Sequence, residues 1–153
     1  MTERTRRSPP LPPGWFIRLA WKVHRAIYRL SGGRSGLWQP KPARWGTMCL
    51  ETVGRRTGKH RRVILAYFVD GTDLVTLAMN GWAEPEPAWW LNLQAHPDAI
   101  VELKNGRRAV RGRGASGQER DRLWNRWQEM GEDVEGYATR RSKPTVVVVL
   151  EPR

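Results

Sequence analysis

Residues 47–79 read TMCLETVGRRTGKHRRVILAYFVDGTDLVTLAM, and the way this stretch divides decides the fold. Three runs rich in β-branched, aliphatic and aromatic residues, TMCLETV, RRVILAYFV and DLVTLAM, are separated by turn formers and read as strands. Asp70-Gly71-Thr72 is a hairpin turn. The other connection, within TVGRRTGKHRR (residues 52–62), joins two strands directly with no helix behind it. Farther along, AIVELK and RRAVRGRGA bracket Asn105-Gly106, a second strong hairpin signal, and TVVVVLE reads as a strand buried on both faces. Consecutive hairpins with helices at the periphery predict an α+β protein, a small antiparallel barrel rather than a doubly wound parallel sheet.

The helices sit outside this frame. WFIRLAWKVHRAIYRL (residues 15–30) places Arg18, Lys22, Arg25 and Arg29 on one helical stripe and leaves a broad apolar face, ended by Ser31-Gly32-Gly33. PEPAWWLNLQAHP, with proline at both ends, predicts a short helix. GQERDRLWNRWQEMG (residues 117–131) predicts an amphipathic one with Leu123, Trp124 and Trp127 buried. The expected organisation is a flexible, basic, proline-rich tail over 1–14, the amphipathic helix and a loop over 15–46, and the barrel over 47–153. A chain of 153 residues can build one such core.

The net charge of +12 is unevenly placed. Residues 1–62 hold 15 Lys and Arg against 2 Asp and Glu, whereas residues 63–153 hold 12 against 13. An excess confined to one region implies a polyanionic small molecule, a nucleic acid or an anionic membrane surface as partner. The single cysteine, Cys49, permits no internal disulfide, and His24, His60 and His96 lie too far apart for ligand spacing, so no metal site is expected. No apolar run approaches the ~18 residues of a membrane-spanning helix and nothing reads as a signal peptide, which points to a reducing cytoplasm. Nine tryptophans leave three uses open for each ring: core filler, pocket wall or anchor at a lipid interface.

The turn itself is not a Walker-type phosphate loop. Only three residues separate Gly54 from Gly58, where such a loop has four between its glycines, and His60, not Ser or Thr, follows Lys59. Glycines at 54 and 58 would permit positive φ and let backbone N–H groups converge on an anion. Arg55, Arg56, Lys59, Arg61 and Arg62 would add charge-assisted hydrogen bonds. A solvated hairpin tip is the alternative that the residues by themselves leave open.

GRRTGKHRRVILAYFVDG (54–71), AMNGWAEPEPAWWLNLQAHP (78–97) and TVVVVLEP (145–152) together resemble the deazaflavin (F420)-dependent nitroreductase and quinone reductase family. The resemblance implies a split β-barrel related to FMN-binding barrels, and coenzyme F420, whose deazaflavin carries a phosphodiester and a tail of glutamates. FMN is the second choice of cofactor. By resemblance, Arg55, Arg56, Thr57, Gly58, Lys59 and Arg61 hold the phosphate and tail, and Leu65, Ala66 and Tyr67 line the cofactor groove. Ala78, Met79, Asn80 and Gly81 run beside the ring, and Trp89 and Asn92 flank it from the short helix, Trp89 being equally suited to anchoring that helix. Tyr137 and Trp82 are the candidates for the substrate pocket. Gly131 and Val134 stand where the family pattern carries further tyrosines, Met79 where a small hydroxyl residue is common, and Ile64 where proline is frequent. These departures bear on the substrate more than on the cofactor.

The implied chemistry is hydride transfer between the deazaflavin and an electron-poor small molecule such as a quinone or a nitro or enone compound. No protein nucleophile is required, and the sequence shows no G-x-S-x-G elbow. Residues 15–30 suit an anionic membrane surface, which would make the protein peripheral on the inner face of the cell membrane. A homodimer through strand edges left by a split barrel is a further expectation. The rival readings are a non-catalytic F420 carrier and a basic barrel for RNA or DNA. The near-neutral second half of the chain argues against a nucleic-acid face.

Overall fold

The computed structural model describes residues 36–79, 85–130, 134–139 and 141–153, together with 15, 16, 19, 22 and 23. Six strands, β1 (Gly46–Val53), β2 (His60–Asp70), β3 (Asp73–Leu77), β4 (Asp98–Leu103), β5 (Gly106–Gly114) and β6 (Val147–Pro152), close into a barrel in the order β1-β2-β3-β6-β5-β4. Every neighbouring pair is antiparallel. Three helices accompany them: α1 (Ala88–Ala95), α2 (Gly117–Glu129) and α3 (Val134–Ala138).

Side-chain alternation sorts the strands into an inside and an outside. Met48, Leu50, Leu65, Tyr67, Leu74, Val101, Val110, Val148 and Leu150 fill the interior, joined by Trp89, Trp90 and Leu93 of α1, which plug one end. Gly112 makes that plug possible, because a Cβ there would run into Leu93 Cδ2 and lie 2.7 Å from its Cγ. On the outside, Phe68, Val75, Leu77, Val147 and Val149 pack against Leu123, Trp124 and Trp127 of α2 and Val134 of α3. Covering on both faces is why β6 is a continuous apolar run. The loop before β1 shields a third face, where Leu37 packs on Cys49 and Ile64.

The expected antiparallel barrel and the helices over 85–97 and 117–131 are therefore present, with ends moved by a few residues. Helix α3 was not foreseen: no element is assigned to its segment from the sequence. It has five residues with Gly136 among them, and its hold is tertiary. The Glu135 carboxylate accepts hydrogen bonds from Trp124 Nε1 (2.7 Å) and Gln128 Nε2 (3.2 Å). Most of the expected helix over 15–30 lies outside the described residues. Those described are helical and exposed, among them Trp15, Phe16, Leu19 and Val23.

One seam of the barrel is short. β1 and β2 share eight residue pairs, whereas β2 and β3 share only Phe68↔Val75, Val69↔Leu74 and Asp70↔Asp73 before β3 turns to β6. A last link, the Thr76 hydroxyl donating to the Ala66 carbonyl at 2.7 Å, shows that Ala66 directs its peptide groups toward β3. Alternation gives Arg62 and Ile64 the same orientation. Among the described residues, no strand pairs with this stretch of β2 on that side.

Candidate functional site

The basic turn is built by its own backbone. The Gly54 N–H donates to the Lys59 carbonyl (2.7 Å), and the Gly58 N–H donates to the Gly54 carbonyl (2.8 Å). Gly58 has φ 69°, the left-handed conformation expected of it. Gly54 is not left-handed. It is glycine because a Cβ would approach the Lys59 carbonyl oxygen to 3.0 Å. The expected convergence of N–H groups is narrower than the sequence suggests. Those of Gly54 and Gly58 are used inside the turn, and that of Lys59 reaches Thr57 Oγ1 (3.3 Å). The N–H groups of Arg56 and Thr57 have no acceptor among the described residues.

Asn92 of α1 fixes the turn to the barrel end. Only 4% exposed, its Oδ1 accepts both the Arg55 N–H (3.1 Å) and Arg55 Nη1 (2.9 Å), while its Nδ2 donates to Thr52 Oγ1 (3.5 Å). Asn92 and Arg55 thus hold the turn in place, with Asn92 buried behind it. Glu51 engages two further basic groups, Arg62 Nε at 2.7 Å and His60 Nδ1 at 3.0 Å. The Arg62 guanidinium is the main reason that the Glu51 carboxyl is held below the ordinary carboxylate range. Arg62 is thus paired within the sheet through its Nε, while its side chain stays half-exposed. Arg56, Lys59 and Arg61 are left as three exposed cations whose side chains have no hydrogen-bond or ion-pair partner among the described residues.

Along β2 the predicted groove residues divide between two faces. Leu65 and Tyr67 are interior, so their side chains face away from any outer groove, and burial pushes the Tyr67 phenol up. Ala66 is on the outer face, half-buried in the same cluster as Met79, Trp45 and Tyr137. Ala78 is fully buried at the end of β3, its N–H donating to the Val146 carbonyl (2.9 Å). Trp89 lies in the interior as the anchor of α1. Asn80, Gly81 and Trp82 lie outside the described residues. Ala66, Met79 and Tyr137 each pack against the outer apolar cluster, and the cationic turn precedes the start of β2. Sequence reasoning missed Arg141, a buried arginine whose guanidinium reaches Glu86, Thr145 and Ala78. No spacing or composition in that polar segment signals it.

A closed six-stranded antiparallel barrel, one seam half open and a cationic turn at its end, defines the split-barrel class of cofactor proteins. The family model for F420H(2)-dependent quinone reductase matches residues 20–152, and the chain belongs to that family. An F420H(2)-dependent quinone reductase of Mycobacterium tuberculosis is 32% identical over 135 residues, covering 86% of this chain and 89% of its own. A second protein of the same organism, described as a putative F420H(2)-dependent quinone reductase, is 30% identical over 119 residues, with 78% and 97% covered. Among solved structures, an F420-H2 dependent reductase superposes with a TM-score of 0.63 at 24% identity over 69% of this chain and 93% of that one, which shows the shared fold. The protein is an F420-dependent oxidoreductase of split-barrel type, and coenzyme F420 is its cofactor. The residues present fit that group: three unpaired cations and two free N–H groups on one turn match a phosphodiester followed by several carboxylates.

Proposed function

We propose that the protein reduces quinones or related electron-poor conjugated compounds, with reduced F420 as hydride donor. The observation that carries the cofactor's placement is the trio Arg56, Lys59 and Arg61, left unneutralised on a turn that Asn92 and Glu51 otherwise tie down. These three, with the N–H groups of Arg56 and Thr57, hold the phosphate and the glutamate tail, while Arg55 and Gly58 shape the turn. The open β2 edge, with the backbone of Leu65, Ala66 and Tyr67, and the Ala78–Met79 segment frame the ring. By resemblance Asn80 and Gly81 continue that segment. Trp89 and Asn92 act from behind, by fixing α1. Bound there, the deazaflavin supplies the hydride. The chain's own contribution is orientation, stacking and exclusion of water. By resemblance, Tyr137 and Trp82 are the candidates for the substrate pocket, and Tyr137 packs against the same outer cluster as Met79.

Tryptophan quenching with oxidised F420, repeated with FMN and a single-stranded oligonucleotide, tests the binding half, and turnover with menadione tests the reductase half. The double substitution Arg56→Ala with Lys59→Ala should weaken F420 binding by ~10- to 1,000-fold at an unchanged melting temperature. An unchanged dissociation constant would remove the tail assignment, and binding without turnover would favour a carrier.

A second reading concerns where the substrate is met. Trp15, Phe16, Leu19 and Val23 recur at helical spacing, each about half exposed, beside the exposed Lys22. Such an apolar stripe with basic neighbours suits an anionic lipid surface, where apolar quinones partition. No helix among the described residues is long and apolar enough to cross a membrane. Binding to anionic but not neutral liposomes at low salt supports this reading, and absence of binding at low salt ends it.

A further inference from the structure

Arg141 is the most deeply buried charge among the described residues, with 0% of its side chain exposed. Its Nη2 donates to Glu86 Oε1 (2.9 Å), and its Nη1 donates to Thr145 Oγ1 (3.0 Å) and, at 3.5 Å, toward the Ala78 carbonyl. These partners belong to three separate places. Ala78 immediately follows β3, Glu86 precedes Pro87, the N-cap of α1, and Thr145 leads into β6. Two neighbouring bonds reinforce the junction, Arg120 Nη2 to the Thr145 carbonyl (3.0 Å) and the Ala78 N–H to the Val146 carbonyl (2.9 Å).

A buried ion pair is a poor way to gain stability, because desolvating both charges offsets most of their attraction. Here the mismatch is larger still, since Glu86, partly exposed as a residue, keeps its Oε2 buried with no hydrogen-bond partner among the described residues. What the pair does supply is direction. A planar guanidinium with three acceptors on three segments fixes the end of β3 against the start of α1 in a way that an apolar cluster cannot. The Ala78 carbonyl is the last backbone group before Met79, which lies on the outer patch with Ala66 and Tyr137.

We propose that Arg141, paired with Glu86, is a positioning residue that sets the Ala78–Met79 segment against the open edge of β2, and through it the affinity for the ring end of the cofactor. The inference rests on the reading of that seam as the cofactor site. It goes beyond that reading in assigning the segment's geometry to the Arg141–Glu86 pair.

The test uses the full-length protein as wild type, Arg141→Lys, Arg141→Met, and Arg141→Met with Glu86→Leu. Each is measured for melting temperature, for amide exchange at Ala78 and Met79, and for F420 affinity. Arg141→Met alone leaves the partly exposed Glu86 carboxylate without its guanidinium and should lower the melting temperature by several degrees. The double variant removes both charges and should melt within about 3 °C of wild type, yet show Ala78 exchange faster by ~10-fold or more and F420 binding weaker by ~10-fold or more. Arg141→Lys, which keeps the charge but not the fork, should weaken binding with only a small loss of stability. A double variant that recovers wild-type exchange together with stability overturns the proposal, as does one whose exchange rises while F420 affinity stays within about 2-fold of wild type. Failure of the seam reading shows differently. Wild type would then bind F420 without protecting Ala78 and Met79, or would not bind at all, and the exchange comparison among the variants would still decide whether Arg141 positions the segment.

Discussion

Asn92 is a buried amide whose hydrogen-bond partners could not be read from the sequence. The family resemblance placed it beside the cofactor, whereas its Oδ1 is shared by two donors of Arg55 and its Nδ2 faces Thr52. Replacing it with alanine removes the acceptor from a backbone N–H that sits at the root of the basic turn. The expected cost is about 1–3 kcal/mol, read as a melting temperature lower by roughly 3–10 °C. F420 affinity should fall as well, because the turn loses its anchor, and thermal melts with and without F420 check both effects. The same residue marks a limit of sequence reading. Cations announce themselves in a chain, but their partners do not. Nothing in TVGRRTGKHRR says that Arg62 and His60 answer to Glu51 across the sheet, or that Arg56, Lys59 and Arg61 go without a partner among the described residues.

At the scale of elements, the hairpins were legible because turn chemistry is local: Asp70-Gly71-Thr72 and Asn105-Gly106 lie where β2 meets β3 and β4 meets β5. Helix α3 and the short β2–β3 seam were not, since both depend on what packs where after the chain has folded back. The β2–β3 hairpin is also clamped from outside. Asp70 accepts a two-pronged contact from Arg122 of α2 (2.8 and 2.9 Å), and Arg126 lies over the Phe68 ring with its guanidinium 4.6 Å from the centroid. The Arg122 guanidinium holds the Asp70 carboxyl below its ordinary value of 3.8. The unfolded chain therefore takes up this proton first as the solution is acidified. The stability that the pair contributes is complete above the ordinary value and is lost as pH falls through it toward the folded one. Arg122→Ala should lower the melting temperature at pH 7, and its difference from wild type should shrink between about pH 5 and pH 3. A difference that stays constant down to pH 3 would show that Arg122 acts by packing alone.

Across the whole molecule, the positive charge is gathered in the first 62 residues and the remainder is near neutral, which gives anion binding a strong electrostatic character. Raising salt from about 50 to about 500 mM should weaken F420 binding by ~10-fold or more, because the unpaired cations are solvent-exposed and therefore screened. The Michaelis constant for an uncharged quinone should move by less than about 2-fold over the same range. Titrations at four or five salt concentrations distinguish the two, and a salt-independent F420 affinity would place its anionic end elsewhere.

The position of β6 carries one more consequence. It stands between β3 and β5, although both of those are made earlier. Until residues 147–152 have left the ribosome, a nascent chain has two raw strand margins, each lined by valine and leucine or backed by tryptophan, and no stave to set between them. Such margins invite pairing with other chains. Synthesis that pauses just short of Val147 is therefore the moment at which this barrel most needs a chaperone's shelter.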